Sequence, residues 1–274
     1  MLLDGYEAAE PIHHSVVIFD DGRIVAVGER HNTPIPGNAT VIDISGKTLL
    51  PGLIDAHVHV LDDYQPIAPF QDTGRSDRLL ALMDECGVEK AIMLPVVADF
   101  SPDNNRECAD LVGRHPDRLA MLADVPMHEP DAAARVLTAR EEFGAVGTSC
   151  YPSTPDLAWM LEPDRAPLWE AYESTGLVCN LQVAPPNYGV LLELAGQHPG
   201  ISFVMNHLAL PGNLDLDDQT YGGLMAGASL PNVFIKASAF YASAATPWDF
   251  RCPRALGIFS RLLEGFGTDR ILWG

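Results

Sequence analysis

Two histidines spaced two apart, His57 and His59, stand in the run Leu53-Ile54-Asp55-Ala56-His57-Val58-His59-Val60. Alternation along an extended strand puts Asp55, His57 and His59 on one face and Ile54, Ala56, Val58 and Val60 on the other. Two imidazoles at that spacing can share one divalent ion, zinc first among the candidates, as part of a nitrogen shell. A lone histidine is better read as a core side chain satisfied by a hydrogen bond, but an HxH pair at the end of an apolar strand points to chemistry. A second apolar run, Ile201 to His207, ends on an imidazole, and parity groups Phe203, Met205 and His207 on the face expected to meet the first pair. The alternative for His207 is a histidine that caps its own loop.

Three further side chains qualify on chemical type. Gln182 lies near the end of Leu177-Val178-Cys179-Asn180-Leu181-Gln182-Val183. Its amide is a poor zinc ligand beside an imidazole but a good hydrogen-bond partner for a hydroxyl or a lactone oxygen. A buried glutamine satisfied by backbone is an equal alternative. Lys236 shares parity with Ser238 and could offset an anionic intermediate or a substrate carboxylate. A lysine whose amine reaches solvent explains it as well. Arg251, close to Trp248, could grip a carboxylate with two parallel hydrogen bonds, although a loop arginine is more often solvated. His128 and Tyr151 are weaker candidates, and Trp159, Trp169 and Trp273 read as packing.

These residues must be carried by regular elements. From Leu53 onward the pattern alternates strand and helix, with strands expected at 53–60, 90–95, 118–125, 145–150, 177–183, 201–207, 232–238 and 270–273. Helices are expected at 76–86, 103–114, 129–143, 164–175 and 254–265. Pro130 and Pro167 suit helix N-termini. Eight strands alternating with helices predict an α/β fold, a parallel (β/α)8 TIM barrel over 53–274. No GxGxxG follows the first strand, which disfavours an open dinucleotide-binding sheet. The helix-facing side of a barrel strand must be apolar, so His57 and His59 are expected to point inward, at the end where such barrels hold their sites. Residues 1–52 have a different rhythm. Val16–Phe19 and Ile24–Val27 flank Asp20-Asp21-Gly22, a hairpin signal, and Thr40–Ile44 and Thr48–Leu50 look like further short strands. A unit of this size buries little core by itself.

Composition excludes some partners. Seventeen basic against 37 acidic residues give a formal net charge of −20 over 274 residues, which repels phosphate backbones and anionic lipid. Nucleic acid and membrane are therefore excluded as expected partners, and a small-molecule substrate is expected, with a homo-oligomer left open. No apolar stretch is long enough to span a bilayer and no secretory leader is evident. Five cysteines without a CxxC pair predict reduced thiols and a cytoplasmic setting.

The order of short motifs adds a resemblance. Asp20-Asp21-Gly22-Arg23-Ile24-Val25-Ala26-Val27-Gly28, then Val41-Ile42-Asp43, then Leu50-Pro51-Gly52 and the HxH strand resemble the entry to a metal-dependent amidohydrolase. Pro116-Asp117-Arg118, Gly144-Ala145-Val146-Gly147, Asn206-His207-Leu208-Ala209, Pro231–Ser238 and Phe266–Gly274 resemble the amidohydrolase-related branch, which holds lactonases and aromatic-acid decarboxylases. The resemblance implies that residues 1–52 form half of a small β-sandwich completed after the barrel. It also implies that Gln182 stands where many members carry a ligand histidine, as in the lactonase-like subgroup. An Asp that activates water is implied in a Ser-Asp continuation after Gly274, so the chain is expected to be a fragment short of its general base.

The implied activity is attack of water on a lactone or related cyclic ester, with His57 and His59 on one divalent metal, His207 and Gln182 at the reacting group, and Lys236 and Arg251 toward substrate. Some lactonase-like members need no metal. Amide or imide hydrolysis, aromatic-acid decarboxylation and a non-catalytic binding protein remain as alternatives.

Overall fold

A computed structural model describes residues 1–2, 10–21, 23–49, 52–60, 75–98, 101–151, 156–244 and 251–274. They separate into two compact units, Met1–Gly52 and Leu53–Gly274.

In the first unit, β1 (Ser15–Asp20) and β2 (Arg23–Glu29) form the antiparallel hairpin that the Asp-Gly signal predicts, with a bulge between Ile18 and Phe19. Leu2 adds isolated bridges to Ile12 and Leu49. The strand expected at Thr40–Ile44 is absent. β-branched composition favours an extended chain but does not provide a ladder partner. At this point Asp43 accepts hydrogen bonds from the backbone N–H and hydroxyl of Ser45, at 2.9 and 2.6 Å. Such a local side-chain turn competes with strand pairing.

The second unit is the expected barrel. Its strands are β3 (Leu53–Val58), β4 (Val88–Met93), β5 (Leu119–Asp124), β6 (Gly147–Cys150), β7 (Val178–Leu181), β8 (Phe203–Met205), β9 (Val233–Ala237) and β10 (Ile271–Trp273). All seven adjacent pairs are parallel and follow chain order. The ends of the sheet, β3 and β10, approach each other. A Cβ placed on Gly274 would lie 2.9 Å from the Cβ and N of His57, so the sheet is nearly closed.

Helices α1 (Ser76–Cys86), α2 (Asn104–Arg114), α3 (Ala132–Glu141), α4 (Ala166–Thr175), α5 (Tyr188–Gln197), α6 (Gln219–Gly222) and α7 (Pro253–Phe266) fall between the strands. Their apolar residues recur at helical spacing. On α7 the buried residues are Ala255, Ile258, Leu262 and Phe266, a single stripe turned to the sheet. Gly87 and Gly176 end α1 and α4 at φ of 70° and 66°, a left-handed cap that glycine adopts without a Cβ penalty. Each cap leads almost directly into the next strand, which keeps the repeat short.

Of the five cysteines, Cys86 is exposed and Cys108, Cys150, Cys179 and Cys252 are buried. Among the described residues, no helix is long and apolar enough to cross a membrane.

Candidate active site

The site is assembled where β3, β8 and β9 end. Along β3 and the two residues after it, Ala56 and Val60 are buried, while Asp55, His57 and His59 take the opposite side. The end of this strand is stapled by Asn104 of α2, a fully buried side chain. Its Nδ2 donates to the Val60 carbonyl at 3.1 Å, and its Oδ1 accepts from the Val96 N–H at 2.9 Å. His59 is held by a 2.7 Å hydrogen bond between its Nδ1 and the Leu94 carbonyl. A carbonyl can only accept, so His59 carries its proton on Nδ1 and turns the Nε2 lone pair into the site. That lone pair meets Nε2 of His57 at 3.2 Å.

His207 joins the pair by a route that parity does not give. Phe203 lies against Trp169 of α4, so the Phe203 and Met205 side of β8 faces the helices. An extended continuation would have sent His207 the same way. Instead the strand stops at Met205, and His207, Leu208, Ala209 and Leu210 take φ of 57°, 55°, 58° and 52°. This left-handed turn brings the His207 ring to 4.5 Å from that of His57, between centroids, and Nδ1 to 2.8 Å from Ser238 Oγ.

Lys236 is inward on β9, only 2% exposed, and among the described residues its Nζ has no hydrogen-bond partner. Burial pulls its pKa down to about 7, opposed by the charge of Asp55. The carboxyl of Asp55 is in turn raised, first by burial, against the pull of the His57 N–H and Lys236. Burial holds His57 down to about 2 and His207 to about 4, and the Lys236 cation is the next cause for both. At neutral pH both imidazoles are therefore uncharged, able to ligate an ion or to donate and accept hydrogen bonds. Among the described residues, other buried polar atoms here make no close hydrogen bond: His57 Nδ1, Asn180 Oδ1 and both amide atoms of Asn206. Buried polar groups in folded proteins are otherwise almost always paired, so this concentration singles out the candidate site.

Residues 54–274 match the family model described as Amidohydrolase. The chain belongs to that family.

Within the amidohydrolase family, similar solved structures include a probable 2-pyrone-4,6-dicarboxylic acid hydrolase from Acinetobacter baumannii with citric acid bound. That likeness has 21% identity and a TM-score of 0.64, and covers 81% of this chain and 83% of that one. An amidohydrolase from Burkholderia multivorans with bound zinc aligns at 19% identity and a TM-score of 0.61, over 81% and 83% of the two chains. 2,6-Dihydroxybenzoate decarboxylase from Rhizobium aligns at 18% identity and 0.56, over 81% and 87%. At these identities the likeness establishes the fold. Curated relatives match shorter stretches. Enamidase of Eubacterium barkeri is 45% identical over 51 residues, 18% of this chain and 13% of the enamidase. Dihydroorotase of Mycobacterium tuberculosis is 32% identical over 104 residues, 36% of this chain and 24% of the dihydroorotase. The chain thus aligns with about a quarter or less of either relative's length.

The remaining sequence candidates lie on other elements. Gln182 follows β7 and is half-buried, its N–H bonded to the Cys150 carbonyl at 3.2 Å. Arg251 is exposed just before α7, and Trp248 beside it lies outside the described residues. His128 pairs with Glu129 at 3.2 Å near the surface. Trp169 packs between Tyr172 and Phe203 as expected of a core residue. Sequence reasoning gave Asp55, Asn104, Asn180 and Asn206 no role. Asp55 shares parity with the histidines and could have been found that way; the asparagines carry no local signal. Residues 61–74, which follow the HxH run, lie outside the described residues.

Proposed function

We propose that this chain carries the barrel of a hydrolase that opens a lactone or related cyclic ester with water. The observation that carries this reading is the meeting of His57, His59 and His207, all three within the field of the buried amine of Lys236. Metal fit can be judged from the nitrogens. Two imidazoles on one tetrahedral zinc, each about 2.0–2.1 Å from it, stand about 3.3 Å apart, and the two Nε2 atoms are 3.2 Å apart. The pair thus fits one edge of a shell, with His57 and His59 as the holders. Among the described residues no group of three His, Cys, Asp or Glu side chains is placed to complete it. Such an ion, when bound, supplies Lewis-acid polarisation of a carbonyl or a water.

The chain's own residues account for the remaining roles. With Ser238 donating to Nδ1, neutral His207 carries its proton on Nε2 and can donate to the oxyanion that forms as water oxygen bonds to the carbonyl carbon. Lys236, in its charged form, stabilises the same negative charge or a substrate carboxylate. Gln182 at the end of β7 offers an amide to the ring oxygens. The ring C–O bond then breaks, and the leaving alkoxide takes the proton that the water gave up. Five cysteines without a CxxC pair suit a reducing, cytoplasmic setting.

A second reading, cyclic amide hydrolysis, is favoured by the matches to enamidase and dihydroorotase. A panel of neutral sugar lactones, aryl esters and cyclic amides assayed with the full-length protein separates the two. Lactone turnover that falls by about 10²-fold or more in His207→Ala supports the proposal. Turnover of cyclic amides with none of lactones overturns it.

A further inference from the structure

We infer that Tyr188 and Tyr221 are positioning residues for His207, their hydroxyls holding the left-handed turn that swings the imidazole into the site. The inference depends on where His207 sits and not on which bond the enzyme hydrolyses.

Four consecutive residues, none of them glycine, occupy the left-handed region at 207–210. Each such residue brings its Cβ close to the following carbonyl oxygen, so the turn does not persist on its own preference. Internal backbone bonds are few: the Ala209 N–H reaches the Asn206 carbonyl and the Leu210 N–H reaches the His207 carbonyl, both at 2.9 Å. Leu208 and Ala209 are fully buried, so their carbonyls need donors from elsewhere. Tyr221 donates its hydroxyl to the Leu208 carbonyl at 2.6 Å, and Tyr188 donates to the Ala209 carbonyl. The two tyrosines come from different elements, α6 and the start of α5, and their rings lie 6.0 Å apart. Both are buried, and burial raises both phenols above their ordinary range, so they remain protonated donors wherever the protein is folded. Two adjacent carbonyls clamped from two sides leave the turn no extended alternative that keeps both satisfied. His207, at the entrance to the turn and bonded to Ser238 at its other end, inherits that geometry.

The test uses the whole chain with isotope-labelled histidine. It reads the nuclear Overhauser contact between the His57 and His207 rings, with assignments from His57→Gln and His207→Gln. Losing one hydroxyl should shift the turn away from the site-competent form by about fivefold, the equivalent of one hydrogen bond. Tyr221→Phe and Tyr188→Phe should each weaken the contact, and the double variant should abolish it. Ala209→Gly should restore the contact in the Tyr188→Phe background, because glycine enters the left-handed region without a Cβ clash. Packing roles for the two rings survive the change to phenylalanine, so they would leave the contact intact. A folded double variant with the full contact overturns the proposal, as does a loss that Ala209→Gly fails to restore. A second arm leaves the tyrosines unchanged: Ala209→Gly in the native chain should raise the folded-to-unfolded ratio by about fivefold. A lowered ratio overturns the premise of a strained turn.

Discussion

Replacing Lys236 with methionine should stabilise the protein while removing its activity, and the stability gain should depend on pH in a defined way. The side chain is 2% exposed and its amine has no hydrogen-bond partner among the described residues, so the charged form pays for burial with little compensation beyond the field of Asp55. Its pKa falls from 10.5 to about 7 on folding. That displacement corresponds to about 5 kcal/mol of differential stability between the two protonation states. Below about pH 7 the amine is charged in both the folded and unfolded chains, and the full penalty is present. Between about pH 7 and 10.5 the unfolded chain holds the extra proton, so native stability rises with pH and the penalty disappears. Methionine has a similar volume and no charge, so Lys236→Met should exceed the native protein in stability by several kcal/mol at pH 6, and by much less at pH 10. Denaturant unfolding of both chains across this range, after chelator treatment, measures the difference directly and cancels groups common to both. A gap of equal size at pH 6 and pH 10 would refute the premise that a buried, depressed lysine causes it.

His57→Ala or His59→Ala should each abolish stoichiometric zinc binding by the reconstituted protein, read by elemental analysis. Undiminished zinc in the double variant would assign the ion elsewhere. Gly147→Ala should destabilise the barrel by about 1–3 kcal/mol, because a Cβ there would stand 2.6 Å from the Val178 carbonyl oxygen and 2.9 Å from Leu122 Cδ2. Unchanged thermal unfolding would show that β6 and β7 can separate at no cost.

Much of this protein follows from local rules that a linear sequence expresses. The eight barrel strands and five of the seven helices lie close to where alternation and helical spacing place them, because each element must present one apolar face to a shared core; α5 and α6 were not anticipated. The inward direction of His57 and His59 follows from the same period of two, reinforced by Ala56 and Val60 on the buried side. Where an element needed a partner from outside its own segment, the pattern was insufficient. Thr40–Ile44 has a strand's composition, but Asp43 and Ser45 close a local turn and no ladder forms.

The site itself was only partly local. His207 was recognisable by type and place in the chain, but its entry depends on four left-handed residues whose carbonyls are satisfied by tyrosines 13 and 21 positions away. No propensity scale anticipates alanine and leucine in that conformation, since the compensation comes from distant donors. Lys236 was equally consistent with a solvated amine until the closing of the barrel buried it. Its depressed pKa is a property of the enclosure, because the cost of a charge is set by what surrounds it in space and not by its neighbours in sequence. The sequence determined which residues could do chemistry, and the tertiary fold decided which of them meet and in what state of charge.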